Sequence, residues 1–538
     1  MMKYIFISGG VISGIGKGIA TASISLLLKS AGLKVAPLKM DPYLNIDAGT
    51  MNPVVHGEVF VLDDGTETDQ DLGHYERFLN ESLNKTNIAT QGSIYNSVLQ
   101  RERNLEYDGE CVDVVTYITN EILSRIQEAG RAKNADIVLI EIGGTAGEYQ
   151  NVLFLEANRL LKLKKPNDVL HIHITYLPIP PSLGEMKSKP AQMSVRNLNS
   201  VGIQPDIILA RSSQSLDQMR IKKLAISTGL EPEDIISAPD VSNVYEVPLN
   251  YDAGNLTKRI LKKLKLRQPK KDMIELRQYV KRVEDAKNEV KIGIVGKYFA
   301  SGYFTLSDAY ISVIEAIKHA SYNQNLKPVI SWIDSEKVVQ DPTILKAYQG
   351  IIVPGGFGSR GIEGKIEAIR YARENNIPYL GLCYGMQLAT VEFARNVLGW
   401  KDANTTEIDP ETKHPVIHVM SGQQKKLLEH NYGGTMRLGA WECVLAPKTL
   451  SRELYGKSKI SERHRHRYEF NNAFKDQLTR AGLVLAGTSP DGKLVEVIEL
   501  PNHSFFVASQ FHPELKSRPL APHPLFVGFV KAARQTAP

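Results

Sequence analysis

The residues with the chemistry to attack a carbonyl lie in the C-terminal half of the chain. Pro378-Tyr379-Leu380-Gly381-Leu382-Cys383-Tyr384-Gly385-Met386-Gln387 reads as an apolar strand end, a tight Gly-x-Cys-x-Gly turn and a helix running into Leu388 and Ala389. Glycines on both sides of the cysteine permit a sharp turn that lifts the sulfur out of a sheet at a helix N-terminus. There the helix dipole and free N–H groups favour a thiolate. The sulfur analogue of the serine nucleophile elbow is one reading; a small core cysteine after a strand is the other. Ser509-Gln510-Phe511-His512-Pro513-Glu514 tilts the choice toward the first. On an extended segment residues two apart share a face, so His512 would take the proton of Cys383 while Glu514 fixes the imidazole tautomer. Upstream, Val353-Pro354-Gly355-Gly356-Phe357-Gly358 predicts a strand ending in glycines. Their backbone N–H groups, with the amide after Cys383, would form an oxyanion hole. Together these pieces would make a thiol nucleophile, its base and an oxyanion cradle, the parts of an acyl-transfer site.

A second site is legible near the N-terminus. Ser8-Gly9-Gly10-Val11-Ile12-Ser13-Gly14-Ile15-Gly16-Lys17-Gly18 follows the strand expected from Tyr4 to Ser8 and precedes the helix expected from Ile19 to Leu28. Glycine-rich backbone at a helix N-terminus cradles phosphate, and Lys17 would reach the outer phosphates. Val11 and Gly18 break the strict P-loop pattern, Gly18 standing where a hydroxyl normally holds magnesium. A purely structural glycine-rich turn is the alternative. Carboxylates for a metal must then come from elsewhere, and Asp71 and Glu141 at a strand end are the candidates. Lys187-Ser188-Lys189-Pro190-Ala191-Gln192, expected as a short extended piece, and Lys223 suit a polyphosphate, or else are surface charge.

Those residues need sheets to hold them. At 538 residues the chain is too long for one core. Apolar runs between Gly, Asp or Pro recur from Lys34 to Lys39, Asp136 to Glu141, Val169 to Thr175 and Asp206 to Ala210, as buried parallel strands do. A second series runs through Val290 to Gly296, Val329 to Ile333, Gly350 to Val353 and Tyr379 to Leu382. The fold class is α/β in two domains, a P-loop-like parallel-sheet domain over residues 1–266 and a second α/β domain over 291–538. Between them a Lys-rich helical linker spans 267–290, with Lys270-Lys271 inside it and Lys258-Arg259 and Lys262-Lys263 leading up to it. No aromatic residues interleave these charges to stack bases, so a solvated linker is favoured over a nucleic-acid surface.

Composition bounds the rest. With 42% hydrophobic and 23% charged residues the chain is ordinary globular protein. No apolar run approaches the ~20 residues that cross a bilayer, and Met1-Met2-Lys3 leads into a strand and not a signal peptide. Three cysteines, at 111, 383 and 443, argue for a reducing compartment, and the expected location is cytoplasmic. The net charge of +6 suits anionic small molecules and is thin support for nucleic acid or membrane partners.

Along nearly its whole length the chain resembles the CTP synthase family. The motifs that carry the likeness are SGGVISGIGKGI (8–19), LKMDPYLNIDAGTM (38–51), HGEVFVLDDGTETDQDLGHYERF (56–78), KSKPAQ (187–192), GKY (296–298), GGTMRLG (433–439) and ERHRHRYE (462–469). The resemblance implies an ATP-dependent amidoligase domain fused to a class I glutamine amidotransferase domain. It implies the making of CTP from UTP, ATP and glutamine with Mg2+, stimulation by GTP, feedback inhibition by CTP, and a homotetramer built as a dimer of dimers. Residue by residue, it implies ATP contacts at Gly14, Ile15, Gly16, Lys17, Gly18, Ile19, Lys39, Asp71, Pro239, Asp240 and Val241, with Asp71 and Glu141 on the metal. Pyrimidine-nucleotide contacts fall on Ser13, Glu148, Tyr149, Gln150, Lys187, Ser188, Lys189, Pro190, Ala191, Gln192 and Lys223. Glutamine contacts fall on Gly356, Tyr384, Gly385, Met386, Gln387, Glu407 and Arg467, and His56 and Val59 match a constriction in an internal ammonia path.

The match departs from the family at Ala146-Gly147-Glu148-Tyr149-Gln150, where Val-Gly-Asp-Ile-Glu is usual, and at Val115-Thr116-Tyr117, where Val-Pro-His is usual. Gln150 in place of a carboxylate predicts altered CTP inhibition. Three other readings stay open at this point: an amidoligase for a different nucleotide, a non-catalytic assembly homologue, and a plain cysteine hydrolase. His464 and His466, set among arginines, read as an anion or substrate contact and not as metal ligands.

Overall fold

The computed structural model describes residues 2–267, 272–296, 300–301, 304–305, 307–356, 358–420, 423 and 433–536. Lys270, Lys271, Lys297, Tyr298 and Phe357 lie outside them. The chain packs as two units. The first is Met1–Ala48 with Asp71–Val280, and the second is Gly49–Gln70 with Lys281–Pro538. The segment Gly49–Gln70, expected in the N-terminal domain, is therefore part of the second unit. The stretch expected to be a linker holds a helix, Ile274–Asp285, before the first strand of the second sheet, Asn288–Gly296.

The first unit is built on β1 (Lys3–Gly9), β2 (Val35–Asp41), β3 (Ile88–Thr90), β4 (Ile137–Ile142), β5 (Val169–Tyr176), β6 (Ile207–Ser212) and β7 (Ile235–Pro239). They form one sheet in the order β3-β2-β4-β1-β5-β6-β7, and every pair is parallel. Strands buried on both faces need continuous apolar sequence, and β4 (Ile-Val-Leu-Ile-Glu-Ile) is buried at every position. Glu141 is the one charge in that run, in register with Lys39 on β2. The helices that matter for the site are α1 (Lys17–Ser30), α2 (Gln70–Leu79), α3 (Lys189–Ser200) and α4 (Gln218–Thr228).

The second unit is centred on β8 (Asn288–Gly296), β9 (Leu326–Asp334), β10 (Gly350–Val353), β11 (Tyr379–Leu382), β12 (Arg437–Leu445), β13 (Lys459–His466), β14 (Val484–Thr488), β15 (Val495–Glu499) and β16 (Phe506–Ser509). The order is β9-β8-β10-β11-β16-β15-β14-β12-β13. From β9 to β16 all pairs are parallel, and from β16 to β13 all are antiparallel. Helix α5 (Tyr384–Asn396) leaves the end of β11 and buries Met386, Leu388, Val391 and Phe393 against β10 and β16. Among the described residues no helix is long and apolar enough to cross a membrane.

Candidate active sites

Cys383 sits at the junction of β11 and α5 with φ 51° and ψ −97°. A non-glycine residue with positive φ is strained, and such strain concentrates at functional sites. The turn closes only because its neighbours lack side chains. A Cβ at Gly385 would collide with the carbonyl of Val353, and one at Gly381 would lie 2.9 Å from the Gly385 carbonyl carbon. Tyr384 opens α5, so its N–H belongs to the first turn, where no intrahelical acceptor exists.

His512 and Glu514 come together by a different route from the one expected. The strand ends at Ser509, and Pro513–Lys516 is a short 3₁₀ turn and not an extended segment. The turn still brings His512 Nδ1 to 2.7 Å from Glu514 Oε1. His512 Nε2 is buried with no partner among the described residues. Burial disfavours the imidazolium, yet the Cys383 sulfur and the Glu514 carboxylate together hold His512 well above its ordinary value. Cys383, His512 and Glu514 thus gather a thiol, an imidazole and a carboxylate at one place. Gly355 lets the histidine approach, since a Cβ there would lie 2.9 Å from His512 Cε1 and 3.8 Å from Cys383 Cβ.

A cavity of about 620 Å³ opens beside this pair. Gly355, Gly356, Lys365, Arg465, His512 and Glu514 line it, together with Met51, Glu58 and Val59 of the segment that joins this unit from the N-terminal half. Of the expected glutamine contacts, Gly356 lines the cavity. Tyr384 donates its hydroxyl to Gly358 O at 3.1 Å, and Glu407 accepts from Gly358 N at 2.8 Å. Gln387 is buried and donates to Tyr468 O at 2.9 Å, and Arg467 is tied to Gln423 and Thr435, each at 2.8 Å. The Met386 side chain is core. Of the expected constriction, Val59 lines the cavity and His56 is exposed at the end of a short helix, Pro53–His56.

Two neighbours of the cysteine escaped the sequence reading. Gln510 donates to Cys383 Sγ at 3.5 Å, and Lys365 is buried with its ammonium 5.3 Å from the Tyr384 ring centroid. Lys365 was detectable: it interrupts the apolar stripe of Ile362, Ile366 and Ile369 at helical spacing. His464 and His466, expected as an anion or substrate contact, lie inside the fold. Both are buried, bonded ring to ring at 3.0 Å, and burial lowers His466 to about 3.

In the first unit Gly14 and Gly16 take φ 69° and 88°, and Gly16 caps α1. Lys17 Nζ donates to Gly144 O at 2.8 Å, and burial together with the nearby Lys39 lowers its pKa. Lys39 is the hub: its ammonium bonds Asp71, and it reaches Glu141 at 2.9 Å and Asp41 at 3.4 Å. Tyr75 donates to the other Glu141 oxygen. Burial pushes the Glu141 carboxyl above its usual range against the pull of Lys39. Asp71 is held below its own range by Lys39 in spite of burial. The missing hydroxyl at Gly18 has a structural answer, because a Cβ there would overlap the Asp71 carboxylate. Asp71, from the first turn of α2, occupies the space a Ser or Thr side chain would need.

The remaining expected contacts gather around this loop. Pro239, Asp240 and Val241 line a cavity of about 240 Å³ with Gly16, Ile19 and Arg211. Arg211, which no sequence pattern singled out, donates to Ile15 O at 2.8 Å and pairs with Asp240. The KSKPAQ stretch is not extended: Lys189 begins α3, Pro190 stands in its first turn, and Ser188 and Ala191 are buried. Helix α3 packs on the glycine-rich loop, where a Cβ at Gly10 would overlap Ser194. It also meets the 143–150 loop, where a Cβ at Gly147 would lie 3.2 Å from Asn197 Nδ2. Lys187 pairs with Glu185 at 2.7 Å, and Lys223 is exposed on α4. In the departing loop Gln150 donates to Glu148 Oε2 at 3.0 Å and Tyr149 is 99% exposed; Ser13 is exposed on the glycine-rich loop.

A family model described as the CTP synthase N-terminus matches residues 3–266, and one described as glutamine amidotransferase class-I matches 305–532. A protein named CTP synthase from Carboxydothermus hydrogenoformans is 52% identical over 539 residues, covering 100% of this chain and 99% of its own. One of the same name from Caldanaerobacter subterraneus is 51% identical, covering 99% and 98%. Among solved structures, the glutaminase domain of Trypanosoma brucei CTPS with bound acivicin is 37% identical. It covers 46% of this chain and 95% of its own, with a TM-score of 0.42. Matched by both domain models and by relatives at about half identity from end to end, the chain belongs to the CTP synthase family, with an N-terminal CTP synthase domain joined to a class I glutamine amidotransferase domain.

Proposed function

We propose that this chain makes CTP from UTP, using ATP and the ammonia it releases from glutamine. The observation that carries the reading is the match at 52% identity, without a gap in coverage, to a protein named CTP synthase. In the amidotransferase domain Cys383 attacks the glutamine carboxamide while His512 takes the thiol proton and passes it to the leaving ammonia. Glu514 holds Nδ1 throughout, and the N–H groups of Gly356 and Tyr384 receive the oxyanion. Water then hydrolyses the thioester. Gly356, Tyr384, Gly385, Met386, Gln387, Glu407 and Arg467 are the proposed glutamine contacts, and His56 and Val59 the proposed constriction. A dry path matters because ammonia protonated to ammonium is no longer a nucleophile.

In the synthetase domain the uracil 4-oxo group is a poor leaving group, so the γ-phosphoryl of ATP is transferred to it. Ammonia then displaces phosphate at C4. Phosphoryl transfer is chiefly positioning and charge neutralisation. Lys17 and Lys39 are assigned to the phosphates, Gly14 to Ile19 to the cradle, and Pro239 to Val241 to the adenine. Ser13, Glu148 to Gln150, Lys187 to Gln192 and Lys223 are assigned to the pyrimidine nucleotide. Asp71 and Glu141 offer hard oxygen donors beside the loop. Magnesium takes one or two carboxylates and completes its shell with phosphate and water, which two such donors would suit. When bound there, magnesium neutralises charge on the phosphates.

GTP activation, CTP feedback, a homotetramer and a cytoplasmic location complete the proposal. They rest on family membership, and Gln150 marks CTP feedback as the property most open to change. The test is an absorbance assay with UTP, ATP, magnesium and ammonium chloride, titrated with CTP, on the native chain and on Lys17→Ala. CTP forms with the native chain, and Lys17→Ala slows it by about 10²-fold or more. Turnover of another nucleotide with none of UTP would overturn the reading in favour of a different amidoligase.

A further inference from the structure

Strand β13 is the edge of its sheet among the described residues, so one side of its backbone is not used in strand pairing. That side faces the cysteine site. Arg463 O accepts the backbone N–H of His512 at 2.8 Å, and Arg465 O lies 3.9 Å from Cys383 Sγ as its thiol acceptor. Side chains alternate along a strand, so 463 and 465 share a face opposite 462, 464 and 466. On that face both arginines hold the same foreign segment. Arg463 is fully buried, bonds Asp63 Oδ1 at 2.7 Å and stacks its guanidinium 5.3 Å from the Phe60 ring centroid. Arg465 bonds Glu67 Oε1 at 2.8 Å and Gly49 O at 3.0 Å. The segment is further fixed by Ala440 N donating to Asp63 O at 2.9 Å, and by Lys516 at 3.4 Å from the Asp63 carboxylate.

Two adjacent residues of one face thus each do two things: the backbone carbonyl meets a catalytic residue, and the side chain grips segment 49–70. We propose that Arg463 and Arg465 are positioning residues through which the docking of segment 49–70 sets the relative placement of Cys383 and His512. Glutamine hydrolysis is then competent only while Glu67 and Asp63 are engaged. Guanidinium suits this use, because its planar fork fixes direction as well as charge, which an ammonium on the same strand would not. Because Arg463 O holds His512 and Arg465 O holds the Cys383 thiol, distortion of β13 between these two positions changes the separation of the reacting groups, and misplacement on the order of 1 Å costs about 10²-fold in rate.

The proposal rests on Cys383 and His512 being the hydrolytic pair, and the experiment keeps the two apart. Glutamate release (kcat and KM) and ammonia-driven CTP formation are measured. The chains compared are the native protein, Arg465→Gln, Glu67→Gln, the double variant and Arg465→Lys. Each single variant is expected to lower kcat for glutamine about tenfold with KM changed less than about twofold. Ammonia-driven synthesis holds. The double variant is expected to be no worse than the worse single one, because both act through one contact. Arg465→Lys recovers part of the loss. An unchanged kcat in the single variants overturns the proposal. So do losses that multiply in the double variant, or equal loss with both nitrogen sources. A native chain that fails to release glutamate at all would instead overturn the assignment of the pair itself.

Discussion

Around the glycine-rich loop the protein sets opposite charges against one another: Lys39 lies among Asp71, Glu141 and Asp41, all on or beside neighbouring strands of one parallel sheet. Around Cys383 the working parts are largely backbone: a strained φ of 51°, a helix start, two glycines, and the carbonyls of an edge strand. The difference follows from who supplies the reacting atoms. Under the proposed function they belong to nucleotides in the first unit, and the protein needs only to place charge. In the second the sulfur is the protein's own, and it must be held at a geometry its chain disfavours. Side-chain charge changes should therefore damage the first site, and loss of orientation should damage the second.

A large contrast is expected from Glu514→Gln. The amide keeps the volume but loses the negative charge that holds Nδ1–H of His512, so the wrong tautomer or ring flip becomes accessible. Glutamine-driven synthesis should fall by about 10³- to 10⁴-fold, as for an orienting carboxylate elsewhere. Ammonia-driven synthesis should stay near native, and a parallel fall in both would erase the distinction between the units.

A smaller effect is shared, and it sharpens the comparison by removing a false difference. Each unit conceals a pair of neutral histidines. In the first, Ser8 Oγ lies 2.8 Å from His171 and from His173, and His173 reaches Ser194 at 2.6 Å. In the second, His464 and His466 bond each other. Burial lowers His173 and His466 to about 3, from an ordinary 6.5. Above the ordinary value both folded and unfolded chains are neutral there, and the full stability is present. As pH falls through about 6.5 the unfolded chain takes up protons the folded one refuses. Stability should then decline by at most about 1.4 kcal/mol per pH unit for each such histidine. Denaturant midpoints at pH 7, 6 and 5 should fall more steeply for the native chain than for His173→Asn and His466→Asn. Identical slopes in all three would mean that the imidazoles are not held neutral.

Much of this was readable beforehand, for reasons that differ between the sites. Parallel strands such as β1 and β4 are legible because burial on both faces forces unbroken apolar runs. Cys383 is legible because only glycine tolerates the close approach at 381 and 385. What escaped is what folding brings from far along the chain. Arg211 reaches the loop at Ile15 from 196 residues away, with nothing in its local sequence to mark it. The docking of segment 49–70 into the second unit depends on Asp63 and Glu67 meeting arginines 400 and 398 positions distant. Period-two reasoning placed His512 and Glu514 on one face and was right about the contact, although a 3₁₀ turn, not a strand, provides it. The extended reading of residues 187–192 failed because Pro190 fits the first turn of a helix, where its missing N–H has no intrahelical role.

The most direct test of a two-site account is Cys383→Ala assayed for CTP with each nitrogen source in turn. Glutamine-driven formation should be lost by about 10⁴-fold or more, as expected when a nucleophile is removed. Formation from ammonium chloride should persist at close to the native rate. Loss of both, or survival of the glutamine-driven reaction, would contradict the separation of nitrogen release from nucleotide activation.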